Sequence, residues 1–226
     1  ELHKAKLMMA AANGRLPDVA SIDSFWVPLF MAGKHIQALD PFWPKEDRDD
    51  FLPFTIDTLS DAAGHVYGMW HGTDCRVLYY RKDLVPVPPK TWDQQRDMAE
   101  FFHRPDDGLL GATDLRSPAW GWINFVHRYT STGNPVAYYW DNNMKPLING
   151  AGGVKALNHM IATTKFGSKD ALSWVWPEQY QNWGDGGAAM TIAFSNLTKF
   201  QKKGGPFDKS GFDVGSKTHA IPMPGW

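Results

Sequence analysis

A single cysteine, Cys75, stands in 226 residues, so no disulfide forms within the chain and cysteine usage reveals nothing about the redox compartment. No apolar run approaches the ~20 residues that a membrane-spanning helix requires. Charge of one sign is also missing: the formal net charge is -1, and Lys and Arg are scattered. The one short basic cluster, Lys199 to Lys203, runs into Gly204-Gly205 and reads as a solvated helix end, which excludes an electrostatic footprint for nucleic acid. The eight His form no H-E-x-x-H and no H-x-H pair, and no cysteine cluster accompanies them, so neither a metal nor any other cofactor is expected. There is no G-x-S-x-G elbow and no G-x-x-x-x-G-K-[ST] phosphate loop. The run Gly150-Ala151-Gly152-Gly153 follows Asn149 rather than a buried strand, so it does not read as a dinucleotide loop.

What is abundant is tryptophan. Eleven Trp exceed ordinary usage, and most lie beside Gly, Asp, Ser or Asn. That mixture suits carbohydrate, because an indole face covers the apolar face of a sugar ring while amides and carboxylates take its hydroxyls. A Trp-rich core is the competing explanation for any one of them. With 43% apolar and 21% charged residues, the chain reads as soluble and globular, long enough for one large domain or two lobes of about 100 residues each.

Helical spacing of Leu2, Ala5, Leu7 and Ala12 ends at Asn13-Gly14, and Pro17 to Ile22 is expected to be a buried strand emptying into Asp23-Ser24. His65 to Trp70 and Val77 to Tyr80 are further strand candidates. Thr91-Trp92-Asp93-Gln94 carries a capping box for a helix whose Trp92, Ala99 and Phe102 face a core. The change of composition at Gly108 suggests a first crossing between lobes near Gly111 to Thr113. A helix from Trp120 to Thr130 follows, then one with Val154, Leu157, Met160, Ile161 and Thr164 on one side, then one opening at Pro177. AAMTIAF reads as a buried strand ending at Phe194-Ser195-Asn196, where α/β proteins place ligands. Helix alternating with strand gives the α/β class.

The order of segments resembles the bacterial extracellular solute-binding proteins of sugar ABC transporters, the group that includes maltose-binding protein. The phrases PDVASIDSFWVPLFMAGKHIQALD, HVYGMWHGTDCRVLYYRKDL, PPKTWDQ, WGDGGAAMTIAFSNL and THAIPMPGW carry the resemblance in the family's order. Departures are Gln94, Trp70 and Phe194, where the family often has Glu, Pro and Trp. The resemblance implies a two-lobed periplasmic-binding-protein-like fold of type II, apparently incomplete at both ends. Its N-terminal lobe would be 1–111, lacking its first strand. Its C-terminal lobe would be 112–218, and 219–226 would be a return crossing. It further implies an extracytoplasmic, monomeric receptor that is not an enzyme, holds a sugar or oligosaccharide between its lobes, and works with ABC transporter membrane subunits. By the same resemblance Asp74 is the carboxylate for sugar hydroxyls, six residues before the second Tyr of LYY, with a loop Asp capping backbone as the alternative. Asp23, Ser24 and Phe25 face the cleft or simply cap a helix; Ser117 and Trp120 supply polar and stacking contacts, while Trp122 belongs to the core. One of Phe194, Ser195 and Asn196 touches ligand, Arg76 and Arg81 pair with local acids, and Trp226 is a stacking candidate. A carbohydrate-active enzyme in the same Trp-lined groove, a glycosidase or lyase with two carboxylates, and a lectin-like module are the alternatives.

Overall fold

The computed structural model describes residues 2–133 and 136–226. It falls into two compact units, 1–73 and 74–226. The first holds helices α1 (Leu2–Ala12), α2 (Val27–Ala32), α3 (Lys45–Arg48) and α4 (Pro53–Thr58) around a small core of Val27, Trp43, Leu59 and Val66. Among its described residues the only strand-like pairing is the isolated bridge Ser60↔Val66. Pro17 to Ile22 is therefore not the expected buried strand: Val19 is 87% exposed. A short apolar run becomes a strand only where a neighbour satisfies its backbone groups, and the described part of this unit offers none. His65 to Trp70 likewise pairs only through Val66.

The second unit is built on a four-stranded mixed sheet in the order β2-β3-β1-β4, with β1 (Arg76–Arg81), β2 (Leu110–Thr113), β3 (Ala188–Phe194) and β4 (Thr218–Ile221). β3 runs parallel to β2 and antiparallel to β1, and β4 runs antiparallel to β1. The contacts divide the chain at 73/74, and β1 and β3, which lie on either side of the boundary expected at 111/112, are neighbours. Residues 219–226 likewise belong to this unit through β4. At Gly108, where the composition changes, the chain turns: Gly108 takes a left-handed φ of 73° after the short helical turn Pro105–Asp107.

β1 and β3 are buried along almost their whole length, since both faces of the sheet are covered. Leu78, Tyr80, Met190 and Ile192 pack with Trp92 and Ala99 of α5 (Trp92–Phe102). Tyr79, Ala193 and Leu197 pack on the other face with Tyr180 and Trp183 of α8 (Trp176–Gly184) and Val214 of α9 (Val214–Lys217). The capping box of α5 forms as its sequence predicts, Thr91 Oγ1 accepting from Gln94 N–H at 3.2 Å and Gln94 Oε1 from Thr91 N–H at 3.3 Å. α5 lies so close to β2 that a Cβ on Gly111 would meet the Ala99 carbonyl oxygen at 1.8 Å.

Helices α6 (Gly121–Thr130) and α7 (Ala151–Thr164) complete the α5 side. Of the side of α7 picked out by Val154, Leu157, Met160, Ile161 and Thr164, Val154, Leu157 and Ile161 are 54%, 50% and 64% exposed, whereas Met160 is buried together with Gly153, Ala156, His159 and Thr163. Polar bonds choose that face. Arg128 Nε donates to His159 Nδ1 at 3.0 Å, His159 Nε2–H donates to the Trp92 carbonyl at 2.8 Å, and Arg116 donates to Thr163 Oγ1 at 2.9 Å. Those bonds require the neutral tautomer of His159 with its proton on Nε2. Asp114 closes the network, pairing with Arg128 at 2.9 Å and with Arg116.

Burial would raise the Asp114 pKa, but Arg116 and Arg128 outweigh it and hold it at about 2. Burial, followed by neighbouring guanidiniums, holds His127 and His159 near 4, below the ordinary 6.5. Between pH 6.5 and 4 the unfolded chain binds protons that the folded chain refuses, so stability falls as pH drops through that window, by on the order of 2 kcal/mol per histidine after solvent screening. The Asp114 contribution is present above the unfolded pKa and is lost only as pH falls from 3.8 through about 2. Thermal melts should therefore show declining stability from pH 6.5 to 4 that is shallower in His159→Gln. A melting temperature flat to pH 4 would contradict the assignment. Asp114→Asn should cost about 3–5 kcal/mol at pH 7 in denaturant unfolding, because it leaves two buried guanidiniums without their carboxylate.

Candidate functional site

The antiparallel register Arg76↔Phe194 brings the start of β1 to the end of β3, so Asp74-Cys75 meets Ser195-Asn196 across 120 residues of chain. Ser195 N–H donates to the Cys75 carbonyl at 2.8 Å, and Cys75 N–H donates to Ser195 Oγ at 3.3 Å. Asp74 Oδ1 accepts from Ser195 Oγ at 3.2 Å and Oδ2 accepts from Asn196 Nδ2 at 3.0 Å. The Asp74 carboxylate is thus held by two side chains rather than spent on capping backbone, and it remains exposed. Each oxygen retains acceptor capacity for a further donor.

A second tier fixes these groups. Tyr180 O–H donates to Asn196 Oδ1 at 2.6 Å, which sets the amide so that its NH2 points at Asp74. Tyr79 O–H reaches the carbonyls of Phe194 and Ser195 at 3.2 and 3.0 Å, anchoring the helical turn Ser195–Phe200. Burial pushes the Tyr79 hydroxyl up to about 12 and the Tyr180 hydroxyl still further, so both stay protonated donors.

β2 is parallel to β3, so the chain leaving β2 emerges at the same edge. Ser117 lies there, buried at 5% exposure; its carbonyl accepts from Trp120 N–H and Gly121 N–H at 2.9 and 2.7 Å, which starts α6. Its hydroxyl finds no partner among the described residues. Trp120, half-buried at the N-cap of α6, meets Phe194 edge to face with centroids 6.0 Å apart. The structure therefore brings together Asp74, Phe194, Ser195, Asn196 and Trp120, with Ser117 at the start of the helix that carries Trp120: a carboxylate, an amide, hydroxyls and two aromatic rings at one sheet edge.

Other expected residues go elsewhere. Trp226 packs against Trp92 and His159 with centroids 6.3 and 5.5 Å away, and its indole N–H donates to the Arg128 carbonyl at 2.8 Å. The structure does not bring it to the Asp74 cluster. Trp122 is not core: it is 56% exposed, its N–H turned to the Ala119 carbonyl at 3.1 Å. Trp122 stands in the first turn of α6, ahead of the part of the helix that carries the buried Asn124, Arg128 and Tyr129. In the first unit Asp23 precedes the short helical turn Ser24–Trp26 without a side-chain cap bond, and Phe25 is 68% exposed beside Trp26. The capping explanation for Asp23 is not what the structure contains.

Two residues of this edge, Tyr180 and Asn124, escaped the sequence reading as site residues, and a third, Arg76, was expected only to pair with a local acid. Arg81 pairs with Asp83 at 2.6 Å as expected of a local acid. Arg76 does not; its Nη2 donates to Asn124 Oδ1 and the Ile192 carbonyl at 2.9 and 2.8 Å. Its alternation with Leu78 and Tyr80 was the available signal that it points inward. Among the described residues no group of three or more His, Cys, Asp or Glu is placed to hold a metal ion.

The family described as bacterial extracellular solute-binding protein matches residues 1–226. The chain belongs to this family. A curated relative, the maltotriose-binding protein of Pyrococcus abyssi, is 23% identical over 105 residues, 46% of this chain and 23% of that protein. Among solved structures, an ABC transporter solute-binding protein from Thermotoga lettingae bound with α-D-tagatose superposes with a TM-score of 0.82 at 20% identity. It is matched over 99% of this chain and 58% of that one. The maltose-bound T. maritima MalE3 gives 0.81 at 22%, over 99% and 56%. These likenesses establish that the chain has the α/β fold of the solute-binding proteins, and that it spans little more than half the length of those two solved chains. The family is extracellular, and among the described residues no helix is long and apolar enough to cross a membrane.

Replacing Tyr180 by Phe should release the Asn196 amide and cost about 1 kcal/mol of stability, measured by urea unfolding. An unchanged midpoint would mean that the Tyr180–Asn196 bond does not organise the edge.

Proposed function

We propose that the protein is the extracytoplasmic substrate-binding component of an ABC importer, acting as a monomer, and that it holds a sugar, sugar alcohol or short oligosaccharide at the Asp74 edge of its second unit. The observation that carries this reading is Asp74, fixed by Ser195 and Asn196 and flanked by the Phe194–Trp120 pair. Two acceptor oxygens suit vicinal hydroxyls, and the aromatic edges suit the C–H face of a ring. Relatives bind maltotriose, maltose, α-D-tagatose and, in a solute-binding protein from Agrobacterium radiobacter, the sugar alcohol ribitol by their names, which supports carbohydrate as the ligand class. Ser117 is a further candidate contact at this edge, Asp23, Ser24 and Phe25 are candidate ligand contacts carried by the first unit, and Trp226 is retained only as a candidate whose indole would first have to leave Trp92.

Capture without chemistry is favoured by the carboxylates at this edge. Glycoside hydrolysis uses a pair, one of them with a raised pKa. Asp114, the other acid these strands supply, is buried and clamped by Arg116 and Arg128, with its pKa held at about 2. It therefore has no proton to give at neutral pH. The partners of such a receptor are its sugar and the importer's membrane subunits, the latter responding to the ligand-stabilised conformation.

Calorimetry with maltotriose, maltose, α-D-tagatose and ribitol tests the proposal. At least one should bind and be recovered unchanged, and Asp74→Ala should weaken that binding by about 1.5–3 kcal/mol while leaving the melting temperature of the free protein within a few degrees. Unchanged affinity in Asp74→Ala, or hydrolysis of the oligosaccharide, would overturn it.

A further inference from the structure

Arg76 is buried at 7% exposure yet pairs with no carboxylate among the described residues. Burial, partly offset by the field of Asp114, brings its pKa to about 10, so it is charged at neutral pH. Its Nη2 is fixed by Asn124 and Ile192, while Nε and Nη1 find no acceptor among the described residues. What the guanidinium does face is an aromatic ring: its central carbon lies 4.5 Å from the centroid of Phe194. Phe194 in turn meets Trp120 edge to face. Asn124 is itself anchored, its Nδ2 donating to the Leu115 carbonyl at 2.6 Å. A continuous line of contacts therefore runs from the β2 exit through Asn124 and Arg76 to the two aromatic residues of the candidate site.

A buried guanidinium with spare donors is unfavourable unless something at the same place repays it, and a desolvated cation over a ring face is such a compensation. An arginine suits the position because its planar fork places one nitrogen on Asn124 and Ile192 while the flat face covers the ring. A lysine has a compact charge without that plane.

We propose that Arg76 is a positioning residue for ligand binding: clamped by Asn124, it holds the Phe194 ring and, through it, the Trp120 indole in the orientation that receives the sugar. This rests on the proposed function for its ligand but not for its geometry. Arg76 acts through Phe194, so removing Phe194 should make Arg76 irrelevant to Trp120.

The test is a double-mutant cycle in the protein labelled with 5-fluorotryptophan, the Trp120 fluorine resonance being assigned by its disappearance in Trp120→Phe. Arg76→Met should shift and broaden that resonance, Arg76→Lys should shift it less, and Phe194→Leu should shift it as well. Arg76→Met added to Phe194→Leu should shift it no further. For whichever of maltotriose, maltose, α-D-tagatose and ribitol binds the wild type, Arg76→Met should weaken affinity about tenfold, with partial recovery in Arg76→Lys and no further loss in the Phe194→Leu background. An unmoved Trp120 resonance in Arg76→Met, or additive effects in the double variant, would overturn the proposal. If none of the four sugars binds, the proposed ligand class fails while the fluorine cycle still decides the role of Arg76. If Arg76→Met does not fold, Arg76→Lys and Phe194→Leu carry the same comparison, and coincident resonances for Arg76→Lys and wild type would count against it.

Discussion

Antiparallel pairing of β1 with β3 is the constraint on which the candidate site depends. Without the register that sets Arg76 opposite Phe194, Asp74 would be a solvated loop acid and Asn196 one residue of a helical turn. With it, the carboxylate gains a hydroxyl and an amide donor, each from a short chain segment that emerges beside it. Both strands are buried on their two faces, so a slip of one residue would send Tyr79 and Leu78 to the wrong layers. The hydrophobic pattern that holds the sheet together thus also fixes where its polar edge groups stand.

Beneath that edge the fold carries an unusual concentration of buried cation. Arg128 stacks at 4.7 Å over Trp92 and pairs with Asp114, Arg116 shares the same carboxylate, and Arg76 rests on Phe194. A single Asp114 answers Arg116 and Arg128, and rings and carbonyls supply the rest of the compensation. Such groups contribute little net stability against apolar replacements but penalise every arrangement that leaves them unpaired. Here they select the buried face of α7, the tautomer of His159 and the seat of Trp92.

Legibility in the sequence followed the range of the forces involved. α5 was readable because its start is local: Thr91 and Gln94 cap each other within four residues. β3 was readable because a seven-residue apolar run at the centre of a sheet has little other use. Asp74 was singled out from the family resemblance and Phe194, Ser195 and Asn196 from the end of the AAMTIAF strand, and the structure places them beside one another, with Trp120 against Phe194. What stayed hidden depended on distant partners. Pro17 to Ile22 has no neighbouring strand among the described residues; the burial of α7 is decided by Arg116 and Arg128 rather than by Val154, Leu157 and Ile161; and Trp122 stands in the first turn of α6, ahead of the buried Asn124, Arg128 and Tyr129. The division of contacts at 73/74 depends on the pairing of β1 with β3, segments more than 100 residues apart in the chain.

The most direct measurement of the central claim is amide and indole chemical-shift mapping by NMR during titration with the best-binding sugar. The account predicts that, within the second unit, the largest perturbations fall on Asp74 to Arg76, Ser117 to Gly121 and Phe194 to Asn196, residues that share one sheet edge. Perturbations concentrated instead on the groove lined by Arg96, Glu100, Ile161, Lys165 and Phe166, with the Asp74 edge silent, would contradict it.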